Sequence, residues 1–255
     1  MPALLAAAAL TATTAAGCGI FHSSSPPSLS GMEKQIARGE RVGAATRARA
    51  PRAASVTPVP SPSPSAIRRR VPGGQVTAIG DSVMAASAMT LAAVLPGIYI
   101  DAKPDRQMPS GLAILRRLAA TGRLRPVVVI GLGTNYIVTT SQLNQVLRIL
   151  GPQRRLVLIN TYVPDGWSKQ VNATDAAFAR DHPDIVLADW FDTIRNRLSL
   201  LWPDRIHPEI PGTRVYAHLV DRAIQATRDV PVVSTARAGL TPPIAPAGLS
   251  RAPRG

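Results

Sequence analysis

The sequence is poor in cysteine and in aromatic side chains, and both shortages narrow what the protein can be. It has one cysteine, Cys18, among 255 residues, so no disulfide can form within the chain and the fold must be stabilised by its core. With three Phe, three Trp and four Tyr, and no stretch that interleaves aromatic with basic residues, it offers few surfaces on which nucleobases could stack. A nucleic-acid partner is therefore not expected.

Acidic side chains are also scarce. Asp and Glu number 15 against 29 Lys and Arg, which gives a formal net charge of +14. The excess is spread along the chain, with +7 in residues 1–71 and +7 in residues 72–255. A positive charge of this size is compatible with binding to a polyanion. The even distribution indicates either an Arg-rich surface that faces anionic lipid or envelope polymer, or simply a solvated surface.

Spacings typical of metal and nucleotide sites are missing as well. The single cysteine and the lack of an HxxxH or HExxH pattern leave no adequate ligand set, and one Asp/His pair is too few to hold a metal ion. The segment Gly131-Leu132-Gly133 lacks the third glycine of a dinucleotide fingerprint. Neither a metal nor an organic cofactor is therefore expected.

The amino-terminal segment, residues 1–21, has no charged side chain. Its composition fits a signal peptide, a transmembrane helix of about 20 residues, or a lipoprotein signal in which Ala15-Ala16-Gly17-Cys18 places Cys18 at the lipidated position. The missing basic flank would fit a chain truncated at its start. A buried globular helix is a weaker alternative, because linker follows. The first three alternatives all predict an extracytoplasmic protein, secreted or anchored in the membrane.

Proline, serine and arginine dominate the next stretch. Residues 22–73 are expected to form a linker, extended around residues 51–66, with room for a short basic helix over residues 32–50. At the other end, residues 230–255 are rich in Pro, Ala and Arg without periodicity, and they are expected to be a disordered tail. The ordered domain should therefore span residues 74–229.

Within that domain, short apolar or β-branched runs alternate with longer segments of helical spacing. The alternation predicts an α/β domain in three layers, α/β/α, around a five-stranded parallel sheet. A strand order of 2-1-3-4-5 would place the carboxyl ends of the first and third strands side by side, where such sheets bind ligands. The predicted strands are Gln75–Ile79, Ile98–Asp101, Val127–Gly131, Leu156–Thr161 and Ile185–Asp189. The predicted helices cover residues 84–95, 111–121, 141–150, 168–181 and 212–228.

Two polar segments follow the first and third predicted strands. Ser82, in Gly80-Asp81-Ser82, directly precedes a predicted helix, whose first N–H groups and dipole can stabilise an oxyanion. Asp and Ser are also common at the start of a helix as ordinary N-caps, whatever the function of the protein. Asn135, in Gly133-Thr134-Asn135, would come beside Ser82 as a further donor to the oxyanion, although a plain turn explains that segment equally well.

A third polar segment, Asp204-Arg205-Ile206-His207, follows the fifth predicted strand. Asp204 can accept a hydrogen bond from one imidazole nitrogen of His207 and leave the other free to take the Ser82 proton. The convergence of three segments on one sheet edge predicts a catalytic site with Ser82 as nucleophile, His207 as base and Asp204 as orienting group. The other histidines fall in a linker, a turn and a helix: His22, His182 and His218.

These segments resemble the conserved blocks of the SGNH (GDSL-type) hydrolases, which have a flavodoxin-like fold. Within that family, the chain is similar to the periplasmic domain attached to membrane acyltransferases that O-acetylate cell-envelope glycans. The resemblance covers about residues 75–228. It includes Gly80-Asp81-Ser82-Val83, Gly133-Thr134-Asn135 and Asp204-Arg205-Ile206-His207. It implies an acyl esterase or O-acyltransferase that acts on an envelope carbohydrate through an acyl-Ser82 intermediate.

The resemblance also implies an oxyanion hole, made by the backbone N–H groups of Ser82 and Asp105 together with the Asn135 side chain. Asp105 lies in the segment Asp101–Gln107, at a position where the family usually has Gly or Ser. A carboxylate that faces a developing oxyanion would be repulsive. We therefore expect the Asp105 side chain to point away, or the hole to differ from that of the family.

The residues leave open whether water or a sugar hydroxyl accepts the acyl group. A hydrophobic segment, a basic stretch and a Pro-rich spacer before the domain resemble the last membrane helix and linker of a fused membrane acyltransferase, which favours transfer. A free-standing exported esterase is the rival arrangement. A non-catalytic envelope-binding module that retains the fold is a further alternative, because of Asp105 and the basic linker.

Overall fold

A central parallel sheet organises the domain. The structure, a computed structural model, describes residues 27–49, 70–164 and 166–229. Five strands lie in the order β2-β1-β3-β4-β5, and every neighbouring pair is parallel. The fold class and the strand order predicted from the sequence are thus confirmed. The strands are β1 (Val76–Gly80), β2 (Tyr99–Ala102), β3 (Val127–Gly131), β4 (Arg155–Ile159) and β5 (Ile185–Ala188).

The register of the three strands beside the switch point brings their carboxyl ends level. Gly80, the last residue of β1, lies opposite Ala102 on one side and Gly131 on the other. All residues of β1, β2 and β3 are buried, which is typical of strands covered on both faces by helices. The residues that follow these three strands therefore emerge at one rim of the sheet.

Helices cover both faces of the sheet and form two separate apolar clusters. One cluster joins the sheet to α1, α2, α6 and α7, and the other joins it to α3, α4 and α5. This is the three-layer arrangement that the sequence predicts. The helices are α1 (Pro27–Arg49), α2 (Ser82–Val94), α3 (Met108–Ala120), α4 (Thr140–Leu150), α5 (Trp167–Asp181), α6 (Trp190–Ile194) and α7 (Ile210–Ala226).

The largest difference from the sequence-based prediction is α1, since residues 27–49 were expected within a linker that has room only for a short helix over residues 32–50. They form a 23-residue helix that packs against α2 and β2. Gly39 allows the close approach, because a Cβ at that position would lie 1.7 Å from the Ala85 carbonyl oxygen. The domain therefore begins before residue 74.

The carboxyl-terminal part of α1 covers the free edge of the sheet. Strand β2 is an edge strand, so every second N–H and C=O along it points away from the sheet. The Ile100 N–H donates to Thr46 Oγ1 at 3.0 Å, and the Ile100 carbonyl accepts from Arg47 Nη1 at 3.0 Å. Helix α1 thus satisfies backbone groups that an edge strand otherwise exposes to solvent.

Other predictions fall outside the residues that the structure describes. These are the amino-terminal segment 1–21, the middle of the expected linker and the tail 230–255. None of the helices within residues 27–49, 70–164 and 166–229 combines the length and the apolar character needed to span a bilayer.

Candidate active site

Ser82 is the first residue of α2 and lies at the rim of the sheet. The preceding Asp81 is the N-cap, and its carboxylate accepts a hydrogen bond from the Val83 N–H at 3.1 Å. The first N–H groups of a helix have no acceptor within the helix. The local sequence therefore presents the Ser82 side chain at the amino terminus of a helix, where backbone N–H groups and the positive end of the helix dipole face the same rim.

Asp81 also ties the nucleophile segment to the segment that carries Asn135. Its second carboxylate oxygen accepts from the Thr134 N–H at 3.3 Å, and its own N–H donates to the Gly131 carbonyl at 3.1 Å. Burial raises the pKa of Asp81 to about 6, although hydrogen bonds from Thr134 and Val83 act in the opposite direction. The carboxylate is thus a structural link between the ends of β1 and β3.

Asp204 and His207 form a closed turn after the fifth strand. The His207 Nδ1–H donates to Asp204 Oδ2 at 2.5 Å. Asp204 Oδ1 accepts from the N–H groups of Ile206 and His207 at 3.0 and 3.1 Å, and Arg205 between them adopts φ +57°. Partial burial acts to raise the pKa of Asp204, but these hydrogen bonds outweigh it and hold that pKa below its ordinary value.

The second ring nitrogen of His207 is left without a partner. Nε2 is buried and makes no hydrogen bond in the part of the chain that the structure describes. Buried polar atoms are nearly always hydrogen-bonded in folded proteins. An orphaned imidazole nitrogen beside a cleft is therefore a feature that calls for a chemical explanation.

Ser82 and His207 line one cleft of about 330 Å³. Thr134, Asn135 and Asp105 line the same cleft, so all the segments singled out from the sequence meet here. Apolar side chains complete the cleft, and Trp167 is held in place by a bond from its indole N–H to the Gly133 carbonyl at 3.2 Å. The remaining lining residues are Ile36, Pro104, Val163, Trp167 and Ile206.

The predicted oxyanion donors Asp105 and Asn135 lie on two loops that line the cleft together with Ser82. The Asn135 side-chain amide donates to the Arg106 carbonyl at 3.4 Å, which links the loop after β3 to the loop after β2. Asp105 adopts φ +58°, a left-handed conformation that glycine adopts without steric cost. Asp105 is exposed to solvent.

A buried ion pair supports the loop that carries Asp105. Arg106 Nη2 donates to Asp101 Oδ1 at 2.7 Å, and both side chains are about nine-tenths buried. The same guanidinium donates to the Gly80 carbonyl at 3.1 Å and to the Asp101 carbonyl. The loop is thus fixed to the ends of β1 and β2, immediately behind Ser82.

Two larger clefts lie away from this constellation. One, of about 560 Å³, is lined by Gln75, Val127 and Arg155 at the opposite end of the strands. The other, of about 810 Å³, lies beside α6 and α7 and is lined by Arg197, His218 and other polar residues. Neither is lined by a serine or cysteine, so neither offers a nucleophile beside a base.

The other histidines do not join the site. His182 stacks on Phe178 with ring centroids 4.2 Å apart, and its Nδ1 lies 2.9 Å from the Phe178 carbonyl. His218 is exposed on α7, and His22 falls outside the described residues. Within those residues, no group of three or more His, Cys, Asp or Glu side chains is arranged to hold a metal ion.

The sequence-based reasoning missed three cleft residues. Ile36 lies on α1, in a stretch expected to be linker with room for a short helix; Val163 follows β4; and Trp167 begins α5. A signal for α1 exists in the sequence. Met32, Ile36, Gly39 and Gly43 follow the spacing of a helix face, and glycines four residues apart favour close packing of helices.

Comparison with known proteins gives one negative result and several matches. No model of a known protein family matches the chain. The chain is 31% identical over 152 residues to "Putative peptidoglycan O-acetyltransferase YrhL" of Bacillus subtilis, and 30% identical over 146 residues to peptidoglycan O-acetyltransferase OatA of Listeria monocytogenes. These matches cover 60% and 57% of this chain but only 24% and 23% of the two relatives.

A solved structure agrees with these matches. The carboxyl-terminal catalytic domain of peptidoglycan O-acetyltransferase A from Streptococcus pneumoniae, determined with a methylsulfonyl adduct, superposes with a TM-score of 0.57 at 22% identity, covering 61% of this chain and 95% of that domain. The similarity thus extends over the whole of that domain. The described domain has the fold of the SGNH (GDSL-type) hydrolases, and its sequence is related to that of the peptidoglycan O-acetyltransferases.

Proposed function

We propose that this chain is a serine-dependent acyl-transfer enzyme of SGNH type that acts on a carbohydrate of the cell envelope through an acyl-Ser82 intermediate. One observation carries the proposal. His207 Nε2 is buried without a partner in the cleft that Ser82 also lines, while Nδ1 of the same ring is held by Asp204 at 2.5 Å. A base that is oriented on one side and free on the other is what activation of a serine requires.

In the first half-reaction, Ser82 Oγ attacks the acyl carbonyl of a donor ester while His207 Nε2 takes the hydroxyl proton. Negative charge develops on the carbonyl oxygen. The N–H groups of Ser82 and Asp105 and the Asn135 amide are the proposed donors to it. The Asn135 amide has two hydrogens, and its bond to the Arg106 carbonyl uses one and fixes the side chain. The imidazolium then protonates the leaving oxygen, and the acyl-Ser82 ester remains.

In the second half-reaction, a hydroxyl group attacks the acyl-Ser82 ester and gives its proton to His207 Nε2. Collapse of the intermediate returns that proton to Ser82 Oγ and releases the new ester or acid. Asp204 accepts the Nδ1–H bond throughout and stabilises the imidazolium. A sugar hydroxyl as acceptor makes the enzyme an O-acyltransferase, and water makes it an esterase.

The names of the relatives support a carbohydrate acceptor in peptidoglycan and an acetyl group as the acyl unit. We therefore propose an extracytoplasmic location, with the uncharged residues 1–21 as the segment that directs the chain to the membrane or through it. Because the matches cover only about a quarter of each relative, a separate or upstream membrane acyltransferase is the proposed source of acyl groups.

Labelling with a fluorophosphonate probe tests the nucleophile and the base. We expect the folded 255-residue chain to label at one site, Ser82→Ala to abolish labelling, and His207→Ala to slow it by at least about 10³-fold. His182→Ala is the matched control, because that ring packs on Phe178 away from the cleft. A folded wild-type chain that fails to label would contradict catalysis and favour the non-catalytic binding module.

A second assay separates transfer from hydrolysis. The chain is incubated with p-nitrophenyl acetate, with and without a soluble peptidoglycan fragment, and the products are separated by mass. Transferase activity predicts an acetylated fragment and a faster release of p-nitrophenol when the fragment is present. Release that is unchanged by the fragment, with acetate as the only product, would identify an esterase.

A further inference from the structure

We propose that α1 is part of the active site, with Gln35 as the residue that positions the His207 loop against the nucleophile helix. Ile36, the next residue, forms a wall of the cleft. This inference rests on the proposed function and goes beyond it, because it adds a residue outside the three sequence segments of the site and moves the start of the catalytic unit into α1.

The side-chain amide of Gln35 joins two elements that carry reacting groups. Its Nε2 donates to the Pro208 carbonyl at 2.8 Å and to the Ala86 carbonyl at 3.2 Å. Pro208 follows His207 directly, and Ala86 lies one helical turn after Ser82 in α2. Its Oε1 accepts from the indole N–H of Trp202 at 3.3 Å. One amide group therefore spans the base loop and the nucleophile helix.

The loop that carries His207 depends on such contacts for its position. Between the short turn Leu198–Leu200 and α7 it contains no strand or helix. Within the loop, the Trp202 N–H donates to the His207 carbonyl at 2.8 Å, so Trp202 and His207 move together. A hydrogen bond that fixes Trp202 from outside the loop therefore also fixes the base.

Helix α1 is a rigid platform for Gln35, because it is anchored independently along its length. Gly39 packs on the Ala85 carbonyl, and Thr46 binds the backbone of Ile100 in β2. These anchors lie away from the His207 loop. They determine the stability of α1 without touching the base, which makes Thr46 a suitable site for a control substitution.

A purely structural role for Gln35 makes a different prediction from a positioning role. If the amide only helps α1 to pack, its loss should affect activity no more than any equal loss of stability elsewhere in α1. If it positions His207, its loss should slow proton transfer from Ser82 and leave substrate affinity nearly unchanged. A misplacement of about 1 Å reduces rates by about 10²-fold in known cases.

The experiment compares Gln35→Met, which keeps the length and volume of the side chain, with Thr46→Val in the full chain. Three quantities are measured: the rate constant for fluorophosphonate labelling of Ser82, kcat and KM for p-nitrophenyl acetate, and the denaturant midpoint. We expect Gln35→Met to lower the labelling rate constant and kcat by about 10- to 100-fold with KM within about twofold. Thr46→Val should lower the midpoint comparably and leave labelling within about twofold.

Trp202→Phe is the second variant, for the case that Gln35→Met does not fold. It removes the indole N–H that donates to Gln35, together with part of the ring that lies beside Gly31, and we expect a several-fold slower labelling rate with unchanged KM. Equal rate losses in Gln35→Met and Thr46→Val, or normal rates in Gln35→Met or in a folded Trp202→Phe, would overturn the positioning role. A wild-type chain that does not label would instead overturn the proposed function, and this inference with it.

Discussion

Asp204 has both carboxylate oxygens committed, and this fixes which proton His207 carries. Oδ1 accepts from two backbone N–H groups, at 3.0 and 3.1 Å, and Oδ2 accepts from the imidazole Nδ1–H. Because Oδ2 requires a proton on Nδ1, the neutral ring must present Nε2 as the acceptor. The tautomer needed for proton abstraction from Ser82 is therefore set by this one side chain.

We predict that Asp204→Asn abolishes most activity while preserving the fold. The amide oxygen should remain with the two backbone N–H groups, so the NH₂ group faces Nδ1 and forces the ring proton onto Nε2. The expected loss in kcat is about 10³- to 10⁴-fold, measured with p-nitrophenyl acetate. Asp192→Asn, at an exposed carboxylate on α6, is the control. A loss smaller than about tenfold would contradict the role of Asp204.

Asp105 combines an unfavourable backbone conformation with an unfavourable charge. Its φ of +58° costs a residue with a Cβ about 1 kcal/mol relative to glycine. The residue lines the cleft, so its negative charge opposes an oxyanion there, although its exposure to solvent weakens that repulsion. The two effects can be separated, because one depends on the Cβ and the other on the charge.

We predict that Asp105→Asn and Asp105→Gly both raise kcat/KM for a neutral ester by a few-fold, because both remove the charge. Only Asp105→Gly should also relieve the backbone, which would leave the free energy of unfolding unchanged or raised by up to about 1 kcal/mol. Steady-state kinetics and urea denaturation measure the two effects. A fall in kcat/KM for the Asn variant would show that the carboxylate assists the reaction.

Among the elements, α1 depends most on close backbone approach. We predict that Gly39→Ala destabilises the protein by about 1–3 kcal/mol, because the added Cβ would overlap the Ala85 carbonyl oxygen. Helix propensity alone would give the opposite sign, a gain of about 1 kcal/mol. Ala44→Gly, at an exposed position on the same helix, should lose only that propensity. Urea denaturation of both variants shows whether Gly39→Ala lowers or raises the free energy of unfolding.

The five strands could be predicted because their runs are apolar, β-branched and short, and glycine or polar residues end them. All five observed strands lie within two residues of the predicted bounds. The site followed from topology. Once β1 and β3 are neighbours, Ser82 and Asn135 must emerge at one rim, whatever the details of their loops.

The signal for α1 as part of the domain is weak in the sequence, because its buried face is small and is made partly of glycine. Glycine at Gly39 suggests linker until the partner α2 is known, and the contact depends on Ala85 at a distant position in the sequence. The left-handed backbone conformations of Asp105 and Arg205 give no signal in the sequence either. Their backbones are imposed by the loops after β2 and before α7, against the residues' own preferences.

At the scale of the whole molecule, buried carboxyl groups couple stability to pH. Burial raises the pKa of Asp81 to about 6 and that of Asp175, on α5, to about 8. In both cases the folded-state pKa lies above the ordinary value of 3.8, so the folded state holds its proton longer than the unfolded state. The contribution of each group to stability is therefore greatest at low pH and falls as pH rises to its folded pKa.

The pH dependence that Asp204 contributes to stability has the opposite sign and falls at lower pH. Its pKa is lowered in the folded state, so its contribution is complete above the ordinary value and is lost only as pH falls below it. Between pH 6 and 8 the Asp204 contribution has reached its plateau, and the Asp81 contribution completes its fall within about one unit above its folded pKa of about 6. Above about pH 7, Asp175 is therefore the one of these three carboxyl groups that still changes stability.

We predict that the free energy of unfolding falls by about 1 kcal/mol per pH unit between pH 6 and pH 8, and that Asp175→Asn removes most of this slope. Asp181→Asn, at an exposed carboxylate on the same helix, should keep it. Urea denaturation at pH 6, 7 and 8 measures the slopes. A wild-type slope that persists in Asp175→Asn would assign the dependence to another group, because an amide at that position cannot release a proton on unfolding.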